Sequence, residues 1–200
     1  MSAAFKHPRD HGKPDLLEWA KVFDEKLPGH RVEILGGMIT VTPLPDACHA
    51  VVLTDLTLTL RPVHTEKTMV VQRLGLRLPG APFDFAIPDL AIVDTDCEAQ
   101  HPEWNLYDPA FFRLVLEVTS ANYDLDTQTK VPAYARAGIP AYVIVDRKYR
   151  RLHILTDPVG NWYRSHRFYD PGERAALPVS IGAEIELDVG AIIERAGYCS

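Results

Sequence analysis

The sequence predicts an α/β protein of the α+β type, a mixed β-sheet with a few helices packed on it, and three observations support this fold class. The runs 113–119 and 141–146 are almost entirely apolar, as is typical of central strands that are covered on both faces. Apolar residues recur at helical spacing after Pro14 and after Asp46. The 200 residues are 46% hydrophobic and 24% charged, which is ordinary for one globular domain over 1–200 and excludes general disorder.

The N-terminal part predicts an arm, a helix and a hairpin. Residues 1–13 have no regular pattern, and we expect them to form a flexible arm. The apolar spacing predicts a helix that begins near Pro14 and that Pro28-Gly29 ends. Two β-rich runs flank Gly36-Gly37, which is a strong hairpin signal for 31–41.

The rest of the chain alternates between predicted helices and strands. Asp46 is a favourable N-cap for a second helix, of about fifteen residues. Gly138 suits the end of a third helix. A last helix is predicted from Asp188. The predicted strands are 68–71, 74–78, 88–94, 113–119, 141–146, 152–155, 162–168 and 184–187.

Sequence patterns also indicate a cellular setting. No apolar run reaches the roughly 18 residues that suggest a membrane span, and the N-terminus has no signal-peptide pattern. The cysteines Cys48, Cys97 and Cys199 are far apart and form neither a CxxC motif nor an obvious disulfide framework. We therefore expect a cytoplasmic protein with reduced cysteines and no membrane partner.

The charge balance leaves two interpretations open. Lys and Arg number 21 against 27 Asp and Glu, a net charge of −6, whereas a protein that binds nucleic acid by phosphate neutralisation alone is usually basic. One stretch nevertheless concentrates positive charge and holds a single acid, Asp157. It predicts either a basic face on an acidic body or ordinary solvated strand charges. Its basic residues are Arg147, Lys148, Arg150, Arg151, Arg164 and Arg167.

Several common active-site motifs are absent from the sequence. There is no GxxxxGK[ST] phosphate loop, GxGxxG fingerprint, HExxH motif or GxSxG elbow. The eight histidines show no zinc-ligand spacing beside a cysteine pair. We therefore expect no organic cofactor, and simple ATPase, dehydrogenase, zinc-peptidase and serine-hydrolase functions are disfavoured.

Two acidic residues lie in apolar strands, where an unpaired carboxylate is costly. Glu117 stands within the apolar run 114–118, and Asp89 begins the apolar run 90–93. If these strands are neighbours, both carboxylates converge at one edge of the sheet and would repel unless a divalent cation lay between them. Such oxygen ligands favour Mg²⁺, with Mn²⁺ as a substitute. The alternative is a buried ion pair between Glu117 and Lys130.

Three polar residues line one face of the following segment if it is helical. Asp126, Lys130 and Tyr134 are spaced i, i+4 and i+8, so the Lys130 amine could reach the predicted metal site. There it could orient or deprotonate a water, or stabilise the transition state of phosphodiester cleavage. Pro132 requires this helix to begin late, for example with Thr129 as its cap, or to bend.

From Glu33 to Asp146 the sequence resembles the Uma-type putative restriction endonuclease family, a branch of the PD-(D/E)xK nuclease superfamily. The ordered set of segments carries the resemblance, since no single one is specific. The family commonly has glutamate and tryptophan where this chain has Ala141 and Val143. The matching segments are Val32-Glu33-Ile34-Leu35-Gly36-Gly37, 43–49, Pro88-Asp89, Leu116-Glu117-Val118-Thr119-Ser120, the set Asp126, Lys130 and Tyr134, and 137–146.

The resemblance implies a restriction-endonuclease-like core, in which helices flank a central mixed β-sheet and an N-terminal helix and hairpin are added. It implies Asp89 and Glu117 as Mg²⁺ ligands, with the backbone carbonyl of Val118 as a further ligand. In most of the superfamily a lysine stands two residues after the glutamate. This chain has Thr119 there, and the resemblance implies that Lys130 supplies the amine.

Three further residues are possible accessories of this site. Glu33 and His49 match positions that recur in the family. For Glu33, pairing with Lys130 or with a backbone amide competes with metal binding; for His49, a capping or core role competes with catalysis. Tyr134 is expected to pack against the sheet with its hydroxyl near the site.

Together, the residues and the resemblance predict a Mg²⁺-dependent endonuclease that hydrolyses phosphodiester bonds in DNA. The resemblance also implies a homodimer. The acidic net charge, Thr119 and Pro132 leave room for a catalytically inactive nucleic-acid-binding module of the same fold. A metal-dependent phosphoesterase that acts on small substrates is the other alternative.

Overall fold

The computed structural model describes residues 15–120 and 122–197, and the predicted arm at 1–13 lies outside these ranges. Short 3-10 turns connect several of the helices and strands. The helices are α1 (Leu16–Lys26), α2 (Ala47–Thr59), α3 (Lys130–Arg136) and α4 (Val189–Arg195). The strands are β1 (Arg31–Leu35), β2 (Met38–Thr42), β3 (Thr68–Gln72), β4 (Gly75–Arg77), β5 (Phe85–Ala86), β6 (Leu90–Asp94), β7 (Leu106–Tyr107), β8 (Phe112–Val118), β9 (Ala141–Asp146), β10 (Arg151–Val159), β11 (Trp162–Tyr169), β12 (Arg174–Ala176) and β13 (Glu186–Asp188).

The predicted mixed α/β class is confirmed, and each predicted helix and strand has its counterpart with small changes of boundary. The sequence did not predict β5, β7 and β12, which have only two or three residues each. Such short strands leave no alternating pattern to detect.

Two sheets dominate the fold. One has six strands in the order β11-β10-β9-β8-β6-β3, and the other has five in the order β2-β1-β5-β4-β7. In the larger sheet only β8 and β9 run parallel. Strands β6 and β8 pair antiparallel with Leu90 opposite Leu116. Asp89 and Glu117 therefore lie at the same edge of the sheet. The sequence predicted this placement if the two strands were neighbours, and they are.

Side-chain alternation along β8 decides which face each residue occupies. Leu114, Leu116 and Val118 belong to the core cluster that includes residues of α2 and α4. Val115 belongs to the other cluster, which includes Tyr134 of α3. Glu117 is two residues after Val115 and therefore lies on the same face of β8, so its carboxylate projects toward α3.

A hydrogen-bonded turn anchors the hairpin of β1 and β2. Gly36 and Gly37 have positive φ angles of 59° and 74°, which side-chain-bearing residues rarely adopt. Both of their N–H groups donate to the carboxylate of Asp84, each across 2.9 Å. The segment before β5 thus fixes the hairpin whose first strand carries Arg31 and Glu33.

A π-helical turn precedes α3. It covers Leu125–Thr129, and the α-helix begins at Lys130. Helical winding already begins at residue 123, so Pro132 lies inside a helical segment, three residues after the π-helical turn, and its missing N–H interrupts the helical hydrogen bonds there. The predicted late start with Thr129 as its cap is wrong, because the π-helical turn runs directly into α3, and Thr129 has helical dihedral angles and makes no side-chain capping bond.

Two further observations concern the predicted cellular setting. Within 15–120 and 122–197, the helices are too short or too polar to cross a membrane. Cys97 is a buried free thiol, whereas Cys48 is disulfide-bonded. The expectation of reduced cysteines is therefore wrong for Cys48.

Candidate active site

A group of buried charged side chains joins β1 of the smaller sheet to β6, β8 and the π-helical turn. None of its four carboxylate residues is more than 5% exposed, and Lys130 is fully buried. We call this group the acid cluster; it consists of Glu33, Asp89, Glu117 and Asp126 with the cations Arg31 and Lys130.

Asp89 receives three contacts that stabilise its ionised form. Its Oδ1 lies 2.7 Å from Arg31 Nη1, and its Oδ2 accepts the N–H of Val118 across 2.9 Å. The same Oδ2 lies 3.2 Å from Nε2 of His49. Burial by itself would raise the pKa of Asp89, but His49, Arg31 and the Val118 amide hold that pKa well below its usual range.

Glu117 has its two oxygens in different surroundings. Oε1 lies 2.7 Å from Nζ of Lys130 and accepts the Tyr134 hydroxyl across 2.9 Å. Oε2 accepts the N–H of Asp89 across 3.4 Å and lies 3.5 Å from Arg31 Nη1. Burial raises the pKa of Glu117 to about 8, although attraction to Lys130 and Arg31 opposes this shift.

Lys130 lies among three carboxylates. Its Nζ is 2.7 Å from Glu117, 3.2 Å from Glu33 and 3.4 Å from Asp126. Burial alone would lower the pKa of Lys130, but the attraction of these carboxylates raises it above its usual value. The amine therefore keeps its proton at neutral pH and neutralises the acids around it.

Pairing with Lys130 or with a backbone amide is the alternative to metal binding that the sequence leaves open for Glu33, and Glu33 makes both of these contacts. Its Oε1 lies 3.2 Å from Lys130 and accepts the N–H of Ile87 across 2.7 Å. Its Oε2 is buried and has no hydrogen-bond partner within the described ranges. That oxygen lies 3.6 Å from Nε of Arg31, which is itself buried and without a hydrogen-bond partner there.

Arg31 is the member of the cluster that sequence reasoning missed. Its Nη1 lies between the two predicted metal ligands, 2.7 Å from Asp89 and 3.5 Å from Glu117, and donates to the carbonyl of Ile87 across 3.0 Å. One signal could have identified it. Arg31 and Glu33 are two residues apart on a strand, so their side chains share a face.

The charge of the cluster is unbalanced. Four carboxylates face two cations, which leaves an excess of two negative charges before any charge on His49 is counted. In agreement with this excess, burial raises the pKa of Asp126 to about 6 as well as that of Glu117 to about 8. A divalent cation carries the charge that would balance the cluster. The residues present therefore fit such an ion.

The carboxylate pair does not form part of a larger metal-ligand group. Within 15–120 and 122–197, no three His, Cys, Asp or Glu side chains have an arrangement that could hold a metal ion. Any ion at Asp89 and Glu117 would need backbone, substrate or water oxygens as further ligands, which is common for Mg²⁺. The backbone carbonyl of Val118 stays a predicted ligand; what the structure shows is the bond from its amide to Asp89.

A cleft of about 490 Å³ opens beside the cluster. Asp89 and Arg31 line it, whereas Glu117 and Lys130 do not. Further polar residues on its wall are His49, Arg73, Ser120 and Arg147. The cleft is lined by three arginines and two carboxylates, and Arg31 pairs with Asp89 while Arg147 pairs with Asp46. The arginines exceed the carboxylates by one positive charge, which suits an anionic ligand that approaches Asp89.

His49 and Tyr134 both lie at the cluster. The N–H of His49 donates to Oδ1 of Asp46 across 2.8 Å, as part of the cap of α2, and its buried imidazole contacts Asp89. Tyr134 is fully buried with its hydroxyl on Glu117, and its ring packs edge-on against Tyr142. Asp126, Lys130 and Tyr134 come together as their spacing predicted.

The basic stretch near the C-terminus is spread over several environments. Arg147 is buried and pairs with Asp46 across 2.8 Å. Arg164 pairs with Asp157 across 3.6 Å. Arg151 and Arg167 lie on opposite faces of the sheet, because Arg167 is opposite Ile154 in the antiparallel pairing of β10 with β11. These residues therefore do not share one face.

Comparison with known proteins agrees with this architecture. A family model described as Uma2, putative restriction endonuclease, matches residues 14–190. A crystal structure from Anabaena variabilis ATCC 29413, described as a putative nuclease belonging to DUF820, is similar with a TM-score of 0.70 and 13% identity. The match covers 92% of this chain and 99% of that chain, and it confirms the predicted restriction-endonuclease-like fold. Among curated proteins, none matches significantly.

Proposed function

The chain belongs to the Uma2 family of putative restriction endonucleases, and on this basis we propose that it hydrolyses phosphodiester bonds in DNA with the help of a divalent cation. One observation carries the proposal. Two buried carboxylates, Asp89 directly before β6 and Glu117 in the neighbouring strand β8, converge at a sheet edge beside a cleft lined by arginines. A carboxylate pair of this kind suits a cation, and the arginines suit a phosphate.

Asp89 and Glu117 are the residues that would hold the cation, with the Val118 carbonyl as the proposed third ligand. The oxygen donors and the excess of two negative charges support Mg²⁺, with Mn²⁺ as a substitute. When bound, Mg²⁺ supplies the Lewis acidity that phosphodiester hydrolysis needs.

Lys130 acts in this proposal through its charge and position rather than as a base. It is fully buried, it does not line the cleft, and its pKa is raised by the carboxylates around it. With the Tyr134 hydroxyl it holds Oε1 of Glu117 in place, 2.7 Å and 2.9 Å away respectively. Asp126 and Glu33 in turn hold the lysine amine.

A cleavage assay tests the proposal. The parent protein, Asp89→Asn and Glu117→Gln are incubated with supercoiled plasmid and with labelled duplexes in Mg²⁺ or Mn²⁺, with EDTA controls. We expect the parent to cut, EDTA to abolish cutting, and each variant to lose at least about 100-fold in rate. Asp94→Asn is the matched control, since Asp94 lies at the far end of β6 and pairs with Arg113.

Three outcomes would contradict the proposal. Equal cutting by the parent and both variants would exclude this carboxylate pair. Duplex binding without cutting under any metal would indicate an inactive binding module. Turnover of a nucleotide ester with DNA left intact would indicate a phosphoesterase for small substrates.

A further inference from the structure

We propose that Arg31 is a two-position residue that competes with the divalent cation. In the metal-free protein its guanidinium lies between Asp89 and Glu117, and on cation binding it shifts onto Glu33. This inference rests on the proposed function, because it assumes that a cation binds at Asp89 and Glu117.

The surroundings of Arg31 Nη1 resemble the ligands of a hard cation. This nitrogen has three oxygen neighbours, which are Oδ1 of Asp89 at 2.7 Å, the Ile87 carbonyl at 3.0 Å and Oε2 of Glu117 at 3.5 Å. Carboxylate and backbone carbonyl oxygens are the donors that Mg²⁺ and Mn²⁺ take in proteins. A guanidinium and a divalent cation cannot both occupy this space, since like charges at contact distance repel strongly where water is scarce.

The second position of the guanidinium would be at the carboxylate of Glu33, which lies on the same strand as Arg31. Nε of Arg31 and Oε2 of Glu33 are both buried, both lack a hydrogen-bond partner within the described ranges, and lie 3.6 Å apart. A buried polar atom without a partner is costly. A shift of the guanidinium toward Glu33 would satisfy both atoms and free the oxygens of Asp89 and Glu117.

The charge balance supports a shift within the cluster rather than an exit from it. When all four carboxylates are ionised, they leave two negative charges in excess of Arg31 and Lys130, before any charge on His49 is counted. A divalent cation neutralises the cluster only if Arg31 stays. Glu33 is the acid that can keep the arginine there without placing it on a metal ligand.

Mn²⁺ titration by calorimetry tests the inference. The parent, Arg31→Met, Glu33→Gln and the double variant are stripped of metal and titrated at pH 8, and their melting temperatures are measured with and without Mn²⁺. We expect Arg31→Met to bind Mn²⁺ about tenfold more tightly or better, because the competing charge is gone. Its metal-free melting temperature should fall, because two buried acids lose their partner.

The double variant separates a receiving role of Glu33 from direct metal binding. Glu33→Gln alone should weaken Mn²⁺ binding, because the arginine loses its second position. In the Arg31→Met background the same change should have a much smaller effect. An equal effect in both backgrounds would make Glu33 a ligand or a plain electrostatic contributor and would overturn the two-position inference.

A control and a second variant keep the test decisive. Arg113→Met removes an arginine that pairs with Asp94 away from the cluster, and it should leave Mn²⁺ affinity unchanged. If Arg31→Met fails to fold, Arg31→Lys keeps the charge but has too short a reach to hold both carboxylates, and it should still bind Mn²⁺ more tightly than the parent. Weaker or unchanged Mn²⁺ binding in the folded Arg31 variants overturns the inference while the proposed function stands. No Mn²⁺ binding by any protein, with or without a non-cleavable duplex, overturns both.

Discussion

Tyr134 donates a hydrogen bond across 2.9 Å to Oε1 of Glu117, and both side chains are fully buried. The same oxygen lies 2.7 Å from Nζ of Lys130. Two donors from one face of α3 thus fix the carboxylate of Glu117 and leave its other oxygen toward Asp89. The orientation of Glu117 therefore depends on the register of α3.

Tyr134→Phe removes one of these donors with little change in volume. We expect the free energy of unfolding to fall by about 1–2 kcal/mol and Mn²⁺ affinity to fall by about 10-fold or more. Urea unfolding and calorimetry measure the two effects. Tyr163→Phe is the control, because that hydroxyl donates to the Ile139 carbonyl across 3.0 Å away from the cluster. It should lose stability but keep Mn²⁺ affinity, and unchanged affinity in Tyr134→Phe would contradict the role of its hydroxyl.

The metal-free protein should lose stability as the pH rises from about 5 to 8. Burial raises the pKa of Glu117 from 4.5 to about 8 and that of Asp126 from 3.8 to about 6. In this window the folded chain therefore binds protons that the unfolded chain has released, so each rise in pH favours unfolding. Urea unfolding in EDTA at several pH values measures the slope.

Glu117→Gln tests the origin of that slope. The amide cannot titrate, so we expect a flatter dependence of the unfolding free energy on pH between 5 and 8. In the parent, Mn²⁺ should reduce the decline, because a cation replaces the protons. Equal slopes for the metal-free parent and Glu117→Gln would show that another group dominates. Below about pH 4 the lowered pKa of Asp89 acts in the opposite direction, and stability falls as this carboxylate is protonated.

Asp84→Ala should loosen the hairpin that carries Arg31 and Glu33. The substitution removes the acceptor of two turn N–H groups, and we expect a loss of about 1–3 kcal/mol in unfolding free energy. Hydrogen exchange should also become faster for the amides of β1 and β2. Asp108→Ala is the control, because Asp108 accepts one N–H in an exposed turn, and it should cost less and leave exchange in β1 unchanged. Equal exchange rates in both variants would contradict the anchoring role of Asp84.

Arg73→Gln should weaken duplex binding with little effect on folding. Arg73 is exposed, lines the cleft and has a positive φ of 55°, and its N–H donates to the Asp89 carbonyl across 3.3 Å. Loss of one phosphate contact should reduce the slope of log affinity against log salt by about 1. Arg77→Gln is the control, since Arg77 is also exposed but lies outside this cleft. Equal salt slopes for the parent and Arg73→Gln would exclude the contact.

The sequence draws attention to the two carboxylates because Glu117 lies within an apolar strand and Asp89 stands directly before one. Asp89 and Glu117 are conspicuous where every neighbour is buried, and the helical spacing of Lys130 and Tyr134 depends only on local geometry. These features need no knowledge of distant parts of the chain. The same holds for the hairpin at Gly36-Gly37, whose turn residues are local.

The position of Arg31 between the two carboxylates could not be predicted from local patterns, because Ile87, Asp89 and Glu117 lie 56, 58 and 86 residues further along the chain. An arginine at the start of a hairpin strand is ordinary, and only the pairing of β1 with β5 brings it to Ile87 and Asp89. The π-helical turn was equally hidden. Pro132 indicates that regular α-helical hydrogen bonding is interrupted near it, but it does not determine that the preceding residues are wound as a π-helix.

Because β6 pairs with β8, the contact between the two carboxylates reports whether these strands are in their native register. Asp89 and Glu117 are 28 residues apart in the chain and meet only when Leu90 is opposite Leu116. A slip of one residue would turn one carboxylate toward the side of α2 and α4. Any ion held by both residues therefore binds native chains alone and raises the melting temperature as its concentration increases. Release of the ion during denaturation would therefore report when β6 and β8 separate, independently of when the other strands of the sheet unfold.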